Sequence, residues 1–379
     1  MGSFRERWKW LVVTLAWCAT WSVPAAAQVP TPLPDACPGP CAQQSDRDPA
    51  KSLCPDEHDF YLTPPRCPWY VASDGLAIHR DAAGHFHAAT LNNPYSVALS
   101  TADLDTGFSG GARVLVGHTI NECLQVEGVY FSLGEWDEAR AIRNMSDNAV
   151  GGQGNLFSPF TNFGNPPVVG LDYNHFASIH DVSSLDNVEL NVRRAMPMPA
   201  GKLATSILFG VRYMDIPERF EYATESTGGG FPGGSSATNE VRVDTDNVLV
   251  GPQIGALFEF HVENRWWVNF EIKGALCNNR AGQGTEYRNV TNGLETVSFG
   301  SRKDDSTAFV GDLALTFVYR WSPFLTTRLG YQAIWVDGLA LASENFNRDV
   351  NILADGPAQL VTEGKVVYHG PHAGIMLSW

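Results

Sequence analysis

Between Trp69 and Trp379 the sequence breaks into ten alternating apolar–polar segments, and the joints between them are short and long by turns. The segments fall at 69–80, 110–120, 123–134, 186–196, 203–215, 248–261, 265–277, 308–321, 325–337 and 366–379. Only Asn121 and Glu122 separate the second from the third. The later even-to-odd joints are Pro197 to Lys202, Val262 to Asn264 and Ser322-Pro323-Phe324. The odd-to-even joints are long, 81–109 and 135–185 among them. A chain that crosses lipid with strands must close them into a barrel, because an open sheet edge leaves backbone groups without partners. Such barrels have an even strand number, tight turns on the periplasmic side and long loops outside. The pattern therefore predicts an all-β, antiparallel transmembrane β-barrel of about ten strands, with both ends of the barrel segment facing the periplasm. Residues 170–179 either extend the fourth segment or form half of an extra hairpin with part of 135–165, which gives a twelve-stranded alternative.

Side chains alternate across a strand with period two, so each segment has two readable faces. In 308–321, Phe309, Leu313, Leu315, Phe317, Tyr319 and Trp321 share one face, and Asp312, Ala314, Thr316 and Arg320 share the other. In 265–277, Trp266, Val268, Phe270, Ile272 and Leu276 oppose Asn269, Glu271 and Lys273. The last segment sets Ala373, Ile375, Leu377 and Trp379 on one face, with Ser378 opposite. A soluble sandwich also alternates, but nothing in it calls for aromatics at strand ends. An interfacial girdle does. Ile375, Leu377 and Trp379 accordingly read as a lipid-facing terminal signal that serves insertion and closure.

The other end of the chain agrees with export. Arg5, Arg7 and Lys9 precede an apolar run from Trp10 to Val23, and Pro24-Ala25-Ala26-Ala27 follows. That is the form of a secretory signal, residues 1–27, cut after Ala27. Trp17 before Cys18 spoils a lipoprotein site, so no lipid anchor is expected. The full chain has 26 basic and 41 acidic residues; without Arg5, Arg7, Lys9 and Glu6 these become 23 and 40, a net −17. Such acidity excludes nucleic acid as a partner, since phosphates require a basic face. After the signal no run approaches the ~18–20 apolar residues of a spanning helix. Residues 28–68 are rich in proline and carry no hydrophobic period, which predicts an extended periplasmic segment before the barrel at 69–379. Cys37, Cys41, Cys54 and Cys67 lie in this segment. An exported compartment favours disulfides over a zinc site for them, with three pairings open. Cys123 and Cys277 stand apart and read as small, partly buried residues.

The polar parity gives the expected lumen lining: Arg113, Glu127, Glu189, Arg193, Arg212, Glu259, Glu271, Lys273, Asp312, Arg320 and Arg328. Six cations against five anions suit pairing across a narrow interior, not an ion-selective pore with one sign in excess. About eight strands leave a filled interior and 16–18 an aqueous channel, and ten lies between. Chemistry-bearing motifs are few. Gly107-Phe108-Ser109-Gly110-Gly111 has the look of a serine-protease nucleophile segment. His79 or His85 with Asp103 or Asp105, however, would crowd a triad into too short a stretch, so Ser109 reads as a glycine-rich strand entry. His85-x-His87, with His79 nearby, is the one histidine grouping that suggests a metal, and loop histidines are the default. Gly228-Gly229-Gly230-Phe231-Pro232-Gly233-Gly234 lacks the Lys-Ser/Thr of a phosphate loop and reads as an outer loop. No catalytic residue, metal or cofactor is assigned.

Several segments resemble the beta barrel porin-7 family. The most telling is Gly330-Tyr331-Gln332-Ala333-Ile334-Trp335-Val336-Asp337-Gly338-Leu339-Ala340-Leu341. Trp69-Tyr70-Val71-Ala72, Ser100-Thr101-Ala102-Asp103-Leu104-Asp105, Gly110-Gly111-Ala112-Arg113 and Asn155-Leu156-Phe157-Ser158-Pro159-Phe160 join it. So do the segments 188–194, 209–213, 251–255 and 309–312. The resemblance covers Trp69 to Trp379 and leaves out the proline- and cysteine-bearing segment. It implies an exported barrel of planctomycete-type bacteria, in the bacterial outer membrane, acting as a porin. The expected function is narrow, weakly selective passage of small solutes. The rival is a closed structural or adhesive barrel whose long acidic loops bind an envelope or extracellular partner. Expected partners are outer-membrane lipid, the barrel-assembly machinery during insertion, and the solutes.

Overall fold

The computed structural model describes residues 68–379 apart from 83, 92–95, 105–106, 122, 144–153, 197–201, 228–235, 264 and 356–359. The signal, the proline-rich segment with Cys37, Cys41, Cys54 and Cys67, and the glycine-rich loop at 228–234 lie outside the described residues.

Ten strands close an antiparallel ring. In chain order the strands are β1 (Trp69–Ala82), β2 (His87–Leu91), β3 (Ser96–Ser100), β4 (Ser109–Asn121), β5 (Leu124–Arg143), β6 (Leu156–Phe157) and β7 (Phe176–Met196). They continue with β8 (Leu203–Thr227), β9 (Ser236–Glu263), β10 (Trp266–Thr291), β11 (Leu294–Arg320), β12 (Leu325–Leu339) and β13 (Gly364–Ser378). The ring runs β1-β13-β12-β11-β10-β9-β8-β7-β5-β4 and returns to β1, while β3-β2-β6 forms a small separate sheet. Chain neighbours are ring neighbours almost throughout, as the short turns require. At the seam Trp69 and Trp379 exchange backbone hydrogen bonds, Trp69 N to Trp379 O at 3.1 Å and Trp379 N to Trp69 O at 3.0 Å. The residues 170–179 add no hairpin to the ring: Phe176–Ile179 simply lengthen β7.

The expected long outer joints are corrected on one side of the barrel. Residues 135–143, 176–185, 216–227, 236–247, 278–291 and 294–307 are not loop but strand, so β5 and β7 run for 20 and 21 residues and β8 to β11 for 25, 28, 26 and 27. The β10–β11 joint is a two-residue turn, Asn292 and Gly293, with φ of 55° and 79°. Left-handed backbone at both central positions is the hairpin turn that Asn-Gly favours, because its twist matches that of the strands.

The outer wall changes character along each long strand. Outward from β11 point Phe317, Leu315, Leu313 and Phe309, with Trp321 just past its end, all exposed; above them come Thr307, Asp305, Lys303 and Ser301. Aromatic pairs mark both edges of this apolar band, Tyr319 with Trp321 at 4.8 Å and Phe309 with Trp335 at 5.9 Å between ring centroids. Exposed apolar residues in such numbers would aggregate in water, but they match the lipid-facing belt of a barrel. Ile375, Leu377 and Trp379 lie on the same outer surface, 46%, 46% and 54% exposed.

Candidate functional site

The inward face of each strand meets the others in the lumen, and its residues stack there in layers. Along β8 the inward positions, read outward from the periplasmic turn, are Leu208, Gly210, Arg212, Met214, Ile216, Glu218, Phe220 and Tyr222. From Arg212 upward this face of β8 gives a charge, two apolar residues, a second charge and two aromatics.

The lowest layer is polar. Tyr70 donates to Glu127 at 2.7 Å, and Arg193 donates to Glu127 and to Glu271, both at 2.9 Å through Nη2. Gly117 faces Tyr70 across β4, where a Cβ would fall 2.0 Å from the ring, so the phenol lies over bare backbone. Arg113 binds Asp74 at 2.7 Å and donates to Gln332 at 2.6 Å; Arg328 approaches Asp74 at 3.8 Å. Arg320 packs over the Trp267 ring at 5.0 Å. Glu259 sits within the field of Arg193 and Arg320. Some of this layer is open to solvent, since the Glu271, Arg328 and Arg113 side chains are 25%, 18% and 13% exposed.

Above it lies a sealed charge knot. Arg212 donates through Nη2 to Glu189 at 2.7 Å and to Asp312 at 3.0 Å. Lys273 reaches both carboxylates at 3.2 Å. Gln253, Asn187 and Asn191 donate to the remaining lone pairs of Glu189. The Arg212, Glu189 and Asp312 side chains are 1%, 1% and 3% exposed, and that of Lys273 11%. Charges this far from water persist only when paired and hydrogen-bonded.

An apolar layer follows, with Leu76, Leu185, Met214, Leu249, Val310, Ile334 and Val336 filling the cross-section. Over it Arg80 binds Asp181 at 3.2 Å and Glu218, and Asn247 and Asn279 donate to Ala340 and Gly338 carbonyls, both at 2.9 Å. The outermost layer is apolar again: Ala88, Ala89, Leu99 and Leu156 of the small sheet pack with Ile179, Phe220, Tyr222, Val243 and Phe346. Helix α1 (Val350–Asp355) contributes Leu353 to this cap.

All eleven residues read from parity point into the lumen, and the structure adds groups outside that set. Asp74 equalises the charges at six and six. Arg80, Asp181 and Glu218 form a further buried trio, and His372 bonds Thr316 at 3.1 Å. Asp74 stands on the inward parity of the first segment and is readable there. Asp181 and Glu218 are hidden in the sequence because they fall within the expected outer joints. Elsewhere, Ser109 is buried with its hydroxyl donating to the Glu135 carbonyl at 3.4 Å. Cys123 is exposed in a turn, against the expectation of partial burial, because its strand starts one residue later; Cys277 is buried. His85 and His87 are both exposed at the start of β2, while His79 faces outward from β1 and meets Asp81 and His369 instead.

On the outer wall, beyond the apolar band on the side away from the short turns, His180 links three strands. Its Nε2 lies 2.7 Å from Asp137 on β5 and its Nδ1 3.3 Å from Glu221 on β8. Burial works against the imidazolium, but hydrogen bonds to Asp137 and Glu221, and their charges, outweigh it and raise the pKa above the ordinary histidine value. A raised folded-state pKa gives stability that is fully present below the unfolded pKa and lost as pH rises through the folded one. Amide exchange in the outer halves of β5 and β7 should therefore speed up as pH rises through the elevated His180 pKa. His180→Gln should flatten that dependence; an unchanged profile in the variant would dismiss the link.

The beta barrel reading is matched by sequence comparison: residues 76–370 fit the family described as "Putative beta barrel porin-7". The chain belongs to this family. Among curated proteins none matches it. Solved structures with which this porin-7 barrel shares overall likeness include the outer membrane protease OmpT from Escherichia coli, with a TM-score of 0.42 and 8% identity over 84% of this chain and 99% of that one. A major outer membrane protein from Thermus thermophilus gives 0.27 and 8%, covering 82% and 99%. Acinetobacter baumannii CarO gives 0.23 and 12%, covering 81% and 97%. At these scores none of the three informs the reading of the porin-7 chain.

Proposed function

We propose that this porin-7 protein sits in the bacterial outer membrane as a barrel closed in its resting state, whose sealed lumen is the rigid base of an extracellular wall that an envelope or extracellular partner can engage. The observation that carries the reading is the stack of layers above Glu271: a charge knot whose side chains are 1% to 11% exposed, an apolar layer, a second buried ion trio and an apolar cap. A steady pore needs a continuous wetted path lined by groups that bind weakly enough to release a solute. Layers in which buried charges are paired and Leu, Met and Val are buried between them work against such a path.

Narrow, weakly selective passage is the second reading. It is favoured by the family's porin description and by the solvated polar layer on the periplasmic side, which would form a vestibule once the layers above it part. Planar-bilayer recording of the refolded full chain separates the two. The closed reading expects no steady conductance at any voltage, and long-lived open levels in the parent would overturn it. Neutralising Arg212 and Arg328 together (Arg212→Gln with Arg328→Gln) should lower the unfolding midpoint on the closed reading, whereas a changed single-channel conductance would favour passage.

A further inference from the structure

We infer that His79, Asp81 and His369 form a binding site for a Zn2+-class divalent ion, set across the seam at which the first and last ring strands meet. His79 and Asp81 lie on β1 and His369 on β13, and His79 is the register partner of His369. All three side chains point outward, away from the lumen and its charge layers. Their ligand atoms lie within 4.8 Å of one another. His369 Nε2 is 3.0 Å from one Asp81 carboxylate oxygen, and His79 Nδ1 is 3.4 Å from the other. Tetrahedral zinc, with bonds of about 2.0–2.2 Å, separates its ligand atoms by roughly 3.4 Å.

Two further features set this group apart from a chance surface cluster. Tyr331 on β12 places its hydroxyl 2.6 Å from His369 Nδ1, fixing the ring so that Nε2 faces the carboxylate. A hydroxyl can accept from Nδ1–H, which leaves the Nε2 lone pair free for a metal; this is the outer-shell support that ligating histidines characteristically have. His79 Nδ1 is shielded from solvent and has no hydrogen-bond partner. The His79 ring is held between Phe108 at 5.6 Å and the His369 ring at 5.4 Å. Two imidazoles and one carboxylate, with a remaining position open to water, suit zinc and its neighbours rather than calcium or magnesium, which take oxygen ligands. The place also matters. Asp81 is in register with Val367, and Val367 with Trp335 of the outer girdle, so the site sits at the outer edge of the apolar band. The Trp69–Trp379 pair ties the seam at its periplasmic end, and a metal here would tie the other end.

The test is Zn2+ titration, by calorimetry, of refolded full-length protein stripped with chelator, alongside the temperature at which the barrel loses its folded form on a cold detergent gel. The expected result is one Zn2+ per chain with a matching rise in that temperature. His79→Gln with His369→Gln should weaken binding at least 100-fold, and Tyr331→Phe about 10-fold. The exposed pair His85→Gln with His87→Gln should leave it unchanged. If the double seam variant fails to fold, Asp81→Asn, at an exposed position, serves in its place. No stoichiometric Zn2+ in the parent, or binding retained in the seam variants, overturns the site.

Discussion

Arg212→Met is expected to lower the unfolding free energy of the barrel by about 3 kcal/mol, the lower end of the range for breaking a buried ion pair. The reason lies in what is left behind. Arg212 donates to Glu189 and Asp312 at once, and its removal leaves two buried carboxylates sharing the single ammonium of Lys273. Both carboxylates keep the desolvation that folding imposes on them and lose much of the field that compensates it. Arg320→Gln is the matched control. Its guanidinium lies over Trp267 near the periplasmic rim, and a stacking contact of this kind is worth about 1 kcal/mol or less. Guanidinium unfolding of the refolded protein, followed by tryptophan fluorescence, measures both. Equal midpoints for parent and Arg212→Met would mean that the charge knot contributes nothing to holding the interior shut.

Deleting Trp379 should sharply reduce the amount of protein in the outer-membrane fraction, while Ser378→Ala should leave it normal. The deletion removes both backbone hydrogen bonds with Trp69 together with an outward-facing aromatic of the girdle. Unpaired backbone groups facing lipid cost several kcal/mol each, so a seam that fails to close should fail outright, without a graded loss. Ser378 points inward, and its strand contacts are made by its backbone, as in Ser378 N to Phe324 O at 3.1 Å. Fractionation with immunoblotting gives the comparison. Equal membrane levels for the two variants would reduce the terminal tryptophan to an ordinary surface residue.

The two halves of the barrel are unequally legible in the sequence. The membrane half can be read because lipid on one side and a packed lumen on the other force strict alternation, and Pro, Asn and Ser clusters mark the periplasmic turns. The extracellular extensions of β8 to β11 face water outside, so polar residues stand on the outer parity and the contrast fades. Glu218 is lost with them, and Asp181 with the matching extension of β7. One signal is available: Asn292-Gly293 between Thr291 and Leu294 is a two-residue hairpin turn, and it implies that the flanking residues are strand. The seam site is beyond reach for another reason. His79 and His369 are 290 positions apart in the chain, and only ring closure brings them into register.

The unequal strand lengths give the molecule a front and a back. β1, β4, β12 and β13 end after 13 to 15 residues, whereas β9 continues for 28. At about 3.4 Å per residue the difference is on the order of 40 Å of strand, standing on one side of the mouth only. The long strands therefore stand as a tall screen on one side of the mouth, and the side of β1, β4, β12 and β13 is low. On the proposed reading, a partner would meet the flank of the screen and its Asn292-Gly293 tip first and the barrel axis last.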